Sequence, residues 1–317
     1  MSTVLVTAIG SWSAVAIIES LKSMNYYVVG CDVNSKEFLF SSSLVDSFYQ
    51  VPYATNASYV DTLATICIDE KIDFLFVLTD PEIDIISEYR AVFKNVVLCI
   101  PDASSIKIAR NKQLLHDFFN INNSINVIPT YSLFDVKHET AIFPLFLKPK
   151  HGRSSEGVFK IENKEDLKYV QSNPKFSQHI AQPYLKGSIY TVDIVRNHNS
   201  QEIVAIPRCE IIRSANGAGI SIKLCKDEAL INLSKMITEK LSIVGCINIE
   251  FIKFEGVYYL MDVNPRFSAG IAFSILAGYD VIKNHLNCFI GTEIQFFNDF
   301  DELIMTKNFN EIILSKR

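Results

Sequence analysis

"YLMDVNPRFSAG" (residues 259–270) ends an apolar run with an acid, an amide, a proline and an arginine in close succession. Side chains alternate faces along a strand, so a strand here points Asp262 and Asn264 to the same side. The run before it, "GCINIEFIKF" (245–254), is again apolar, and Glu255–Gly256 between the two marks a turn. Antiparallel strands joined in this way bring Glu250 close to Asp262 and Asn264. Two carboxylates and an amide oxygen suit a hard divalent cation, Mg2+ above all, set to bridge phosphate oxygens. Arg266 could contact the same phosphates. The plain alternative is a solvated strand end with an arginine ion pair, and the acidic cluster alone leaves both open.

Two further clusters bear on that choice. Lys112 and Lys148 carry long-reaching point charges suited to phosphate, and Lys148 sits at a strand end before Pro149. The loop "HGRSSEGV" (151–158) holds Arg153, Ser154, Ser155 and Glu156 between Gly152 and Gly157. Successive backbone N–H groups and hydroxyls in such a turn can surround phosphoryl oxygens. The loop lacks the GxxxxGK spacing of a P-loop, and by itself an ordinary surface turn explains it as well. Acids, lysines and loop together favour a metal–triphosphate site over scattered surface polarity.

Outward from these clusters, the first hundred residues alternate strand and helix. "TVLVTAI" (3–9), "YYVVGCD" (26–32), "IDFLFVLTD" (72–80) and "VVLCI" (96–100) read as strands. "SAVAIIESLKS" (13–23), "SYVDTLATICIDEK" (58–71) and "PEIDIISEYR" (81–90) read as helices. The alternation implies a mostly parallel sheet with helices on both faces. A helical run follows over 104–121, then a proline-interrupted strand at 142–150 and a short helix at 165–172. "QHIAQPYLKG" (178–187) returns to a sheet. From 188 to 213 the pattern is antiparallel, with "NHNSQ" (197–201) as the hairpin connection, and 227–243 is the clearest helix. The expected fold is an α/β, doubly wound N-terminal domain followed by a larger α+β part.

The bulk numbers exclude several classes. A chain of 317 residues, 49% hydrophobic, can bury a substantial core, and 21% charged residues is far from a disordered composition. A net charge of -5 and the absence of a basic stripe argue against a nucleic-acid partner. Seven scattered cysteines with no CxxC pair favour reduced, mostly buried thiols in a cytoplasmic protein. No run is long enough for a membrane span, and "MSTVLVTAIG" reads as a first strand rather than an export signal.

The order "VLVTAIG", "TDPEID", "RNKQLL", "LKPKHGRSSEGV", "AQPYLKGSIYTVD", "IPR", "INIEF" and "DVNPRF" resembles the ATP-grasp superfamily over roughly residues 1–290. It is most similar to the synthetase core of the carbamoyl-phosphate synthase large subunit and to related carboxylate–amine ligases. The resemblance implies an α+β ATP-grasp fold behind the N-terminal domain. Its parts would be a pre-ATP-grasp domain at 1–110, a central nucleotide-binding subdomain at 111–186 and a C-terminal subdomain with the metal site at 187–317. It implies ATP with two Mg2+ ions, Mn2+ being able to substitute. Lys112 and Lys148 would hold the nucleotide phosphates, and Gly152, Arg153, Ser154, Ser155 and Gly157 would belong to the mobile loop above them. Gln182, Pro183, Tyr184 and Leu185 would form the hinge that recognises adenine. Glu250, Asp262 and Asn264 would be the metal ligands. Arg266 would steady the transferred phosphoryl group, and Arg208 and Arg213 would face substrate or phosphate. The chain departs from the family pattern at Gln182–Pro183, at Ile189 in the ribose-contacting place, and at Glu210, where relatives often carry arginine.

The activity so implied is ATP-dependent ligation of a small-molecule carboxylate to an amine or ammonia, through an acyl phosphate, with release of ADP and phosphate. A bicarbonate-phosphorylating enzyme and a non-catalytic nucleotide-binding regulatory module are the rival readings, and a homodimer is a further implication of the resemblance. Several residues keep two readings. His151 borders the phosphate loop or is an ordinary loop histidine, and Trp12 caps an acceptor pocket or packs. Asp80 and Glu82 orient a substrate amine or another subdomain, or simply start a proline-led helix. "AIGSWSA" (8–14) is no GxGxxG fingerprint, so Asp32 gives little reason to expect a dinucleotide. The stretch 291–317 reads as a closing strand and helix, a partner contact or a substrate wall.

Overall fold

In strand β1 (Thr3–Val6) the side chains divide between two cores. Val4 and Val6 enter one apolar cluster and Leu5 enters another, all three fully buried. A strand covered on both faces has to be apolar at every position, which is how this one reads. The computed structural model describes residues 2–121, 125–152, 157–198 and 202–314. In the first unit β1 is followed by α1 (Ala14–Ser23), β2 (Tyr27–Asp32), β3 (Ser47–Gln50), α2 (Tyr59–Asp69), β4 (Phe74–Phe76), α3 (Asp80–Glu88) and β5 (Val97–Leu98). The strands pair in parallel in the order β3-β2-β1-β4-β5, as the alternating pattern leads one to expect. The short β3 was not apparent in the sequence.

The single helical run expected over 104–121 is two helices, α4 (Ala103–Ala109) and α5 (Lys112–Asn120). Asn111 divides them. Its side-chain oxygen accepts from the backbone N–H groups of Gln113 and Leu114, both at 3.0 Å, and so caps a new helix. The break puts Lys112 in the first turn of α5, and its backbone N–H is tied to the carbonyl of Lys150 at 3.1 Å.

A second sheet contains β6 (Tyr131–Ser132), β7 (Leu145–Pro149), β8 (Phe159–Ile161) and, after α6 (Lys164–Ser172), β9 (His179–Pro183). Its antiparallel order is β6-β9-β7-β8. The third sheet has six strands: β10 (Ser188–Arg196), β11 (Ile203–Arg213), β12 (Gly219–Leu224), then α7 (Glu228–Lys240), β13 (Gly245–Phe254) and β14 (Val257–Asn264). Helices α8 (Ile271–Leu276) and α9 (Val281–Ile290) precede the last strand, β15 (Ile304–Thr306). The order is β14-β13-β10-β11-β12-β15, antiparallel throughout. As expected, β10 and β11 pair antiparallel, with 199–201 of their connection outside the described residues, and the 255–256 turn is present. Glu255 at φ 49° and Gly256 at φ 81° give the two left-handed positions that a tight two-residue hairpin needs. Among the described residues, 291–314 contain β15 against β12 and no helix.

The core of the first sheet does not stop at its own helices. Val4, Val6, Ile17, Ile18 and Leu21 share one cluster with Phe267, Ile271, Val281, Ile282 and Leu286 from the C-terminal part. The Ser20 hydroxyl donates to the Asp280 carboxylate across the same contact at 3.0 Å. All seven cysteines are free, five of them buried. No helix among the described residues is long and apolar enough to cross a membrane.

Candidate active site

The register of the six-stranded sheet lines up the polar residues of one face. Asp262 on β14 stands opposite Glu250 on β13, Glu250 opposite Thr191 on β10, and Thr191 opposite Arg208 on β11. A second row joins Asn264, Asn248 and Asp193. Irregularities in two strands make this possible. In β14, Asp262 pairs with Glu250 but Leu260 pairs with Phe251, so Met261 is an extra residue. The bulge lets Leu260 stay in the core while Asp262 faces outward, a combination that strict alternation forbids. In β11 the register shifts between Glu210 and Arg213, and both line the resulting cleft although three positions apart.

That cleft, of about 490 Å³, lies between the four-stranded and six-stranded sheets. Lys112 and Lys148 reach it from one side, and Glu250, Asp262, Asn264 and Arg266 from the other. Lys112 Nζ is 2.9 Å from Asp262 Oδ1, and Arg213 Nη2 is 3.1 Å from Glu250 Oε2. Burial pushes the Glu250 carboxyl above its ordinary range, Arg213 opposes the shift, and Asp262 and Glu210 add to it. Lys148 is 7% exposed, and its ammonium lies 5.1 Å from the Phe146 ring centroid. Burial lowers its pKa, while Asp262 and Glu250 pull the other way. Asn264 Nδ2 donates to Asn248 Oδ1 at 3.0 Å and to Glu250 Oε1 at 3.4 Å. Presented to a cation, the same amide would have to turn its oxygen inward.

The remaining expected residues have distinct placements. Gly152 and the stretch Gln182–Leu185 line the cleft. The Gln182 side chain is committed to the sheet, donating from Nε2 to Thr130 Oγ1 at 2.9 Å. Gly157 does not line the cleft. It has φ +67°, and a Cβ there would sit 3.1 Å from the Pro149 ring. Arg153, Ser154 and Ser155 lie outside the described residues. Arg208 is 2% exposed, with its guanidinium on Asp193 at 2.6 Å, Glu210 at 3.2 Å and Ser268 at 3.0 Å. Arg266 holds Asp80 through two hydrogen bonds of 2.9 and 2.8 Å, and Arg110 stands 3.4 Å from the same acid. Burial alone would raise the Asp80 pKa, but Arg266 and Arg110 outweigh it and hold the carboxylate low.

The two-sided residues also resolve. Asp80 orients Arg266 across the boundary between the first and third sheets. Glu82 is a buried brace that accepts from Thr7, Tyr59 and Thr79. Asp32 accepts from the backbone N–H groups of Gly10, in the connection after β1, and of Asn34 in its own turn. The Trp12 ring packs on Phe309 with centroids 5.6 Å apart and beneath Lys307 Nζ at 4.4 Å, and His151 meets Asn111 at 3.1 Å. Sequence reasoning missed Asn248, although it lies two residues before Glu250 and so on the same strand face. It also missed Arg110, because nothing local tells a helix-terminal arginine that braces an acid from a solvated one.

Among the described residues no group of three or more His, Cys, Asp and Glu side chains is placed to hold a metal ion. The oxygen donors here are two carboxylates and one amide. Residues 175–311 match the family described as ATP-grasp in the biosynthetic pathway with Ter operon, and residues 4–100 match the PylC-like N-terminal domain. Over residues 175–311 the chain matches the ATP-grasp superfamily. Among ATP-grasp relatives, the carbamoyl phosphate synthase large chain of Clostridium perfringens is 25% identical over 167 residues. That match takes in 48% of this chain and 16% of the relative, so the chain spans about a sixth of that protein. The D-alanine–D-alanine ligase of Neisseria meningitidis is 27% identical over 144 residues, 41% of this chain and 47% of the ligase. In fold, the biotin carboxylase of Campylobacter jejuni, solved as a β-γ-ATP complex, superposes with a TM-score of 0.77 at 13% identity. It covers 92% of this chain and 72% of its own.

Proposed function

We propose that the chain is an ATP-dependent carboxylate–amine ligase that passes through an acyl phosphate and releases ADP and phosphate. The observation that carries the reading is the meeting of Lys112 and Lys148 with Glu250 and Asp262 in one cleft, with Lys112 and Asp262 in contact at 2.9 Å. On this reading residues 1–110 form the pre-ATP-grasp domain, 111–186 the nucleotide-binding subdomain and 187–317 the subdomain with the metal site.

The oxygen donors of Glu250, Asp262 and Asn264 fit Mg2+, and when bound Mg2+ would screen the triphosphate and polarise the transferred phosphoryl group. Each acid already carries a cation: Lys112 on Asp262 and Arg213 on Glu250. Loading would release Lys112 from Asp262 toward the phosphates, so the part-buried acid exchanges one cation for another. The substrate carboxylate oxygen attacks the γ-phosphorus, the bond to the β–γ bridging oxygen breaks, and ADP leaves. The amine nitrogen then attacks the acyl carbon, phosphate departs with the acyl C–O bonding pair, and the nitrogen loses a proton. Lys148 and Arg266 hold and steady phosphoryl oxygens, so positioning and electrostatics supply most of the acceleration. Closure over the cleft keeps water from the acyl phosphate.

Incubating the chain with Mg-ATP and a panel of carboxylates and amines, and reading new product masses alongside ADP, tests this directly. A ligated product with stoichiometric ADP is expected. ADP release stimulated by bicarbonate alone would point to a carboxyphosphate enzyme. Mg-ATP binding without phosphate release across the panel would point to a regulatory module.

A further inference from the structure

One carboxylate in the cleft wall has half its hydrogen-bonding capacity unused. The buried guanidinium of Arg208 faces two acids, Asp193 at 2.6 Å and Glu210 at 3.2 Å. Asp193 is the closer partner, and the same oxygen also accepts from the Ser274 hydroxyl at 2.7 Å; its Oδ1 has no hydrogen-bond partner among the described residues either, but Asp193 is fully buried and does not line the cleft. Glu210 uses only Oε1. Its side chain is 3% exposed, and Oε2 has no hydrogen-bond partner among the described residues. Two acids on one guanidinium leave a negative charge in surplus, and a buried carboxylate oxygen without a partner calls for an explanation.

Among the described residues no nearby cation hydrogen-bonds to Oε2, although Lys307 is close enough to feel the Glu210 charge. Arg213 is engaged with Glu250. Lys307 Nζ donates to the Ala269 carbonyl at 2.6 Å and sits over the Trp12 ring. Oε2 lies at the foot of the β11–β12 turn, where a Cβ on Gly219 would come within 1.8 Å of it. Glu210 and the turn residues Asn216–Gly219 all line the cleft. Glycine at 219 therefore leaves the carboxylate its place.

We propose that Glu210 anchors the ammonium group of a small cationic molecule in the cleft, the amine partner of the ligation. An ammonium group brings N–H donors and a positive charge to a carboxylate oxygen that, among the described residues, has neither a hydrogen-bond partner nor a cation of its own. The identity of this molecule as the second substrate rests on the ligase reading above; its binding does not.

The test is a thermal-shift titration of the full chain, held with Mg2+ and a non-hydrolysable ATP analogue. The probes are ethylammonium, putrescine and agmatine, with ethanol as the neutral control. At least one cation should stabilise the wild type saturably, ethanol should not, and Glu210→Gln should raise the half-saturating concentration at least tenfold. Gly219→Ala, which places a methyl against Oε2, should do the same, and a retained nucleotide-induced shift in each variant reports an intact fold. The proposal falls if no cation stabilises the wild type, if ethanol acts equally, or if both folded variants respond as the wild type does. A parallel assay of ADP release with hydroxylamine trapping separates the two claims. Glu210-dependent cation binding without any trapped hydroxamate would sink the ligase reading and keep the site. Hydroxamate formation with no cation sensing Glu210 would do the reverse.

Discussion

Asp262 joins two roles in one carboxylate, since it pairs with Lys112 and belongs to the oxygen set on adjacent strands. Asp262→Ala should cut Mg-ATP-dependent ADP release on the order of a hundredfold or more, the scale seen when one preorganised electrostatic group is removed. Its melting temperature should stay within a few degrees of wild type, because the side chain faces a cleft rather than the core. Wild-type ADP release by the folded variant would remove Asp262 from the site. Lys148→Ala should raise the ATP concentration at half-maximal turnover about tenfold, the effect of one charge-assisted phosphate contact. An unchanged ATP titration would place that lysine elsewhere. His285 offers a different residue-scale test. Its Nδ1 accepts from the Cys246 N–H at 2.7 Å and its Nε2 donates to the Cys99 carbonyl at 3.1 Å, so the ring is held neutral. Burial pushes its pKa down to about 3. The unfolded chain takes up a proton near pH 6.5 that the folded chain refuses, so stability is full above that pH and declines as pH falls toward 3. The slope from this residue should approach about 1.4 kcal/mol per pH unit. In urea titrations between pH 6.5 and 4, His285→Gln should show a shallower loss, and an identical slope would acquit the imidazole.

At the scale of elements, the Asn111 cap separates α4 from α5 and places Lys112. Asn111→Ala should cost about 1 kcal/mol of stability, as N-cap losses do. It should also weaken nucleotide binding, because the first turn of α5 would fray with Lys112 in it; a stability loss with nucleotide binding intact would show that the cap serves the helix alone. The cap was not legible in the sequence, where 104–121 reads as one helical run. Glu250 and Asp262 were readable as near neighbours because they lie on the two strands joined by the 255–256 turn, whose regular register sets them within one position of each other. Their orientation was not readable in detail. The extra residue at Met261 and the slip between Glu210 and Arg213 alter side-chain phase, and a period-two reading has no sign of either until the partner strand is known. Strand β3 escaped for another reason: it is short and lies at a sheet edge, where few apolar side chains are required. Arg208 lines the cleft, and its pairing depends on Asp193, Glu210 and Ser268, which only the folded sheet brings together.

At the scale of the whole molecule, the alternating first hundred residues announced a parallel sheet, and the motif order announced the fold behind it. What no local pattern announced is that the two share a core. Helix α1 lays Ala14, Ile17, Ile18 and Leu21 into the same cluster as Val281, Ile282 and Leu286 of α9, and Ser20 bonds Asp280 across 260 positions of sequence. On a ribosome, where about 5–20 residues are added each second, the oily side of α1 would therefore wait roughly ten to fifty seconds for its cover to be made. During that interval the nascent chain offers a sticky surface, and the time spent shielded by chaperones, rather than the intrinsic folding speed of the first sheet, would govern how much of it reaches the native state.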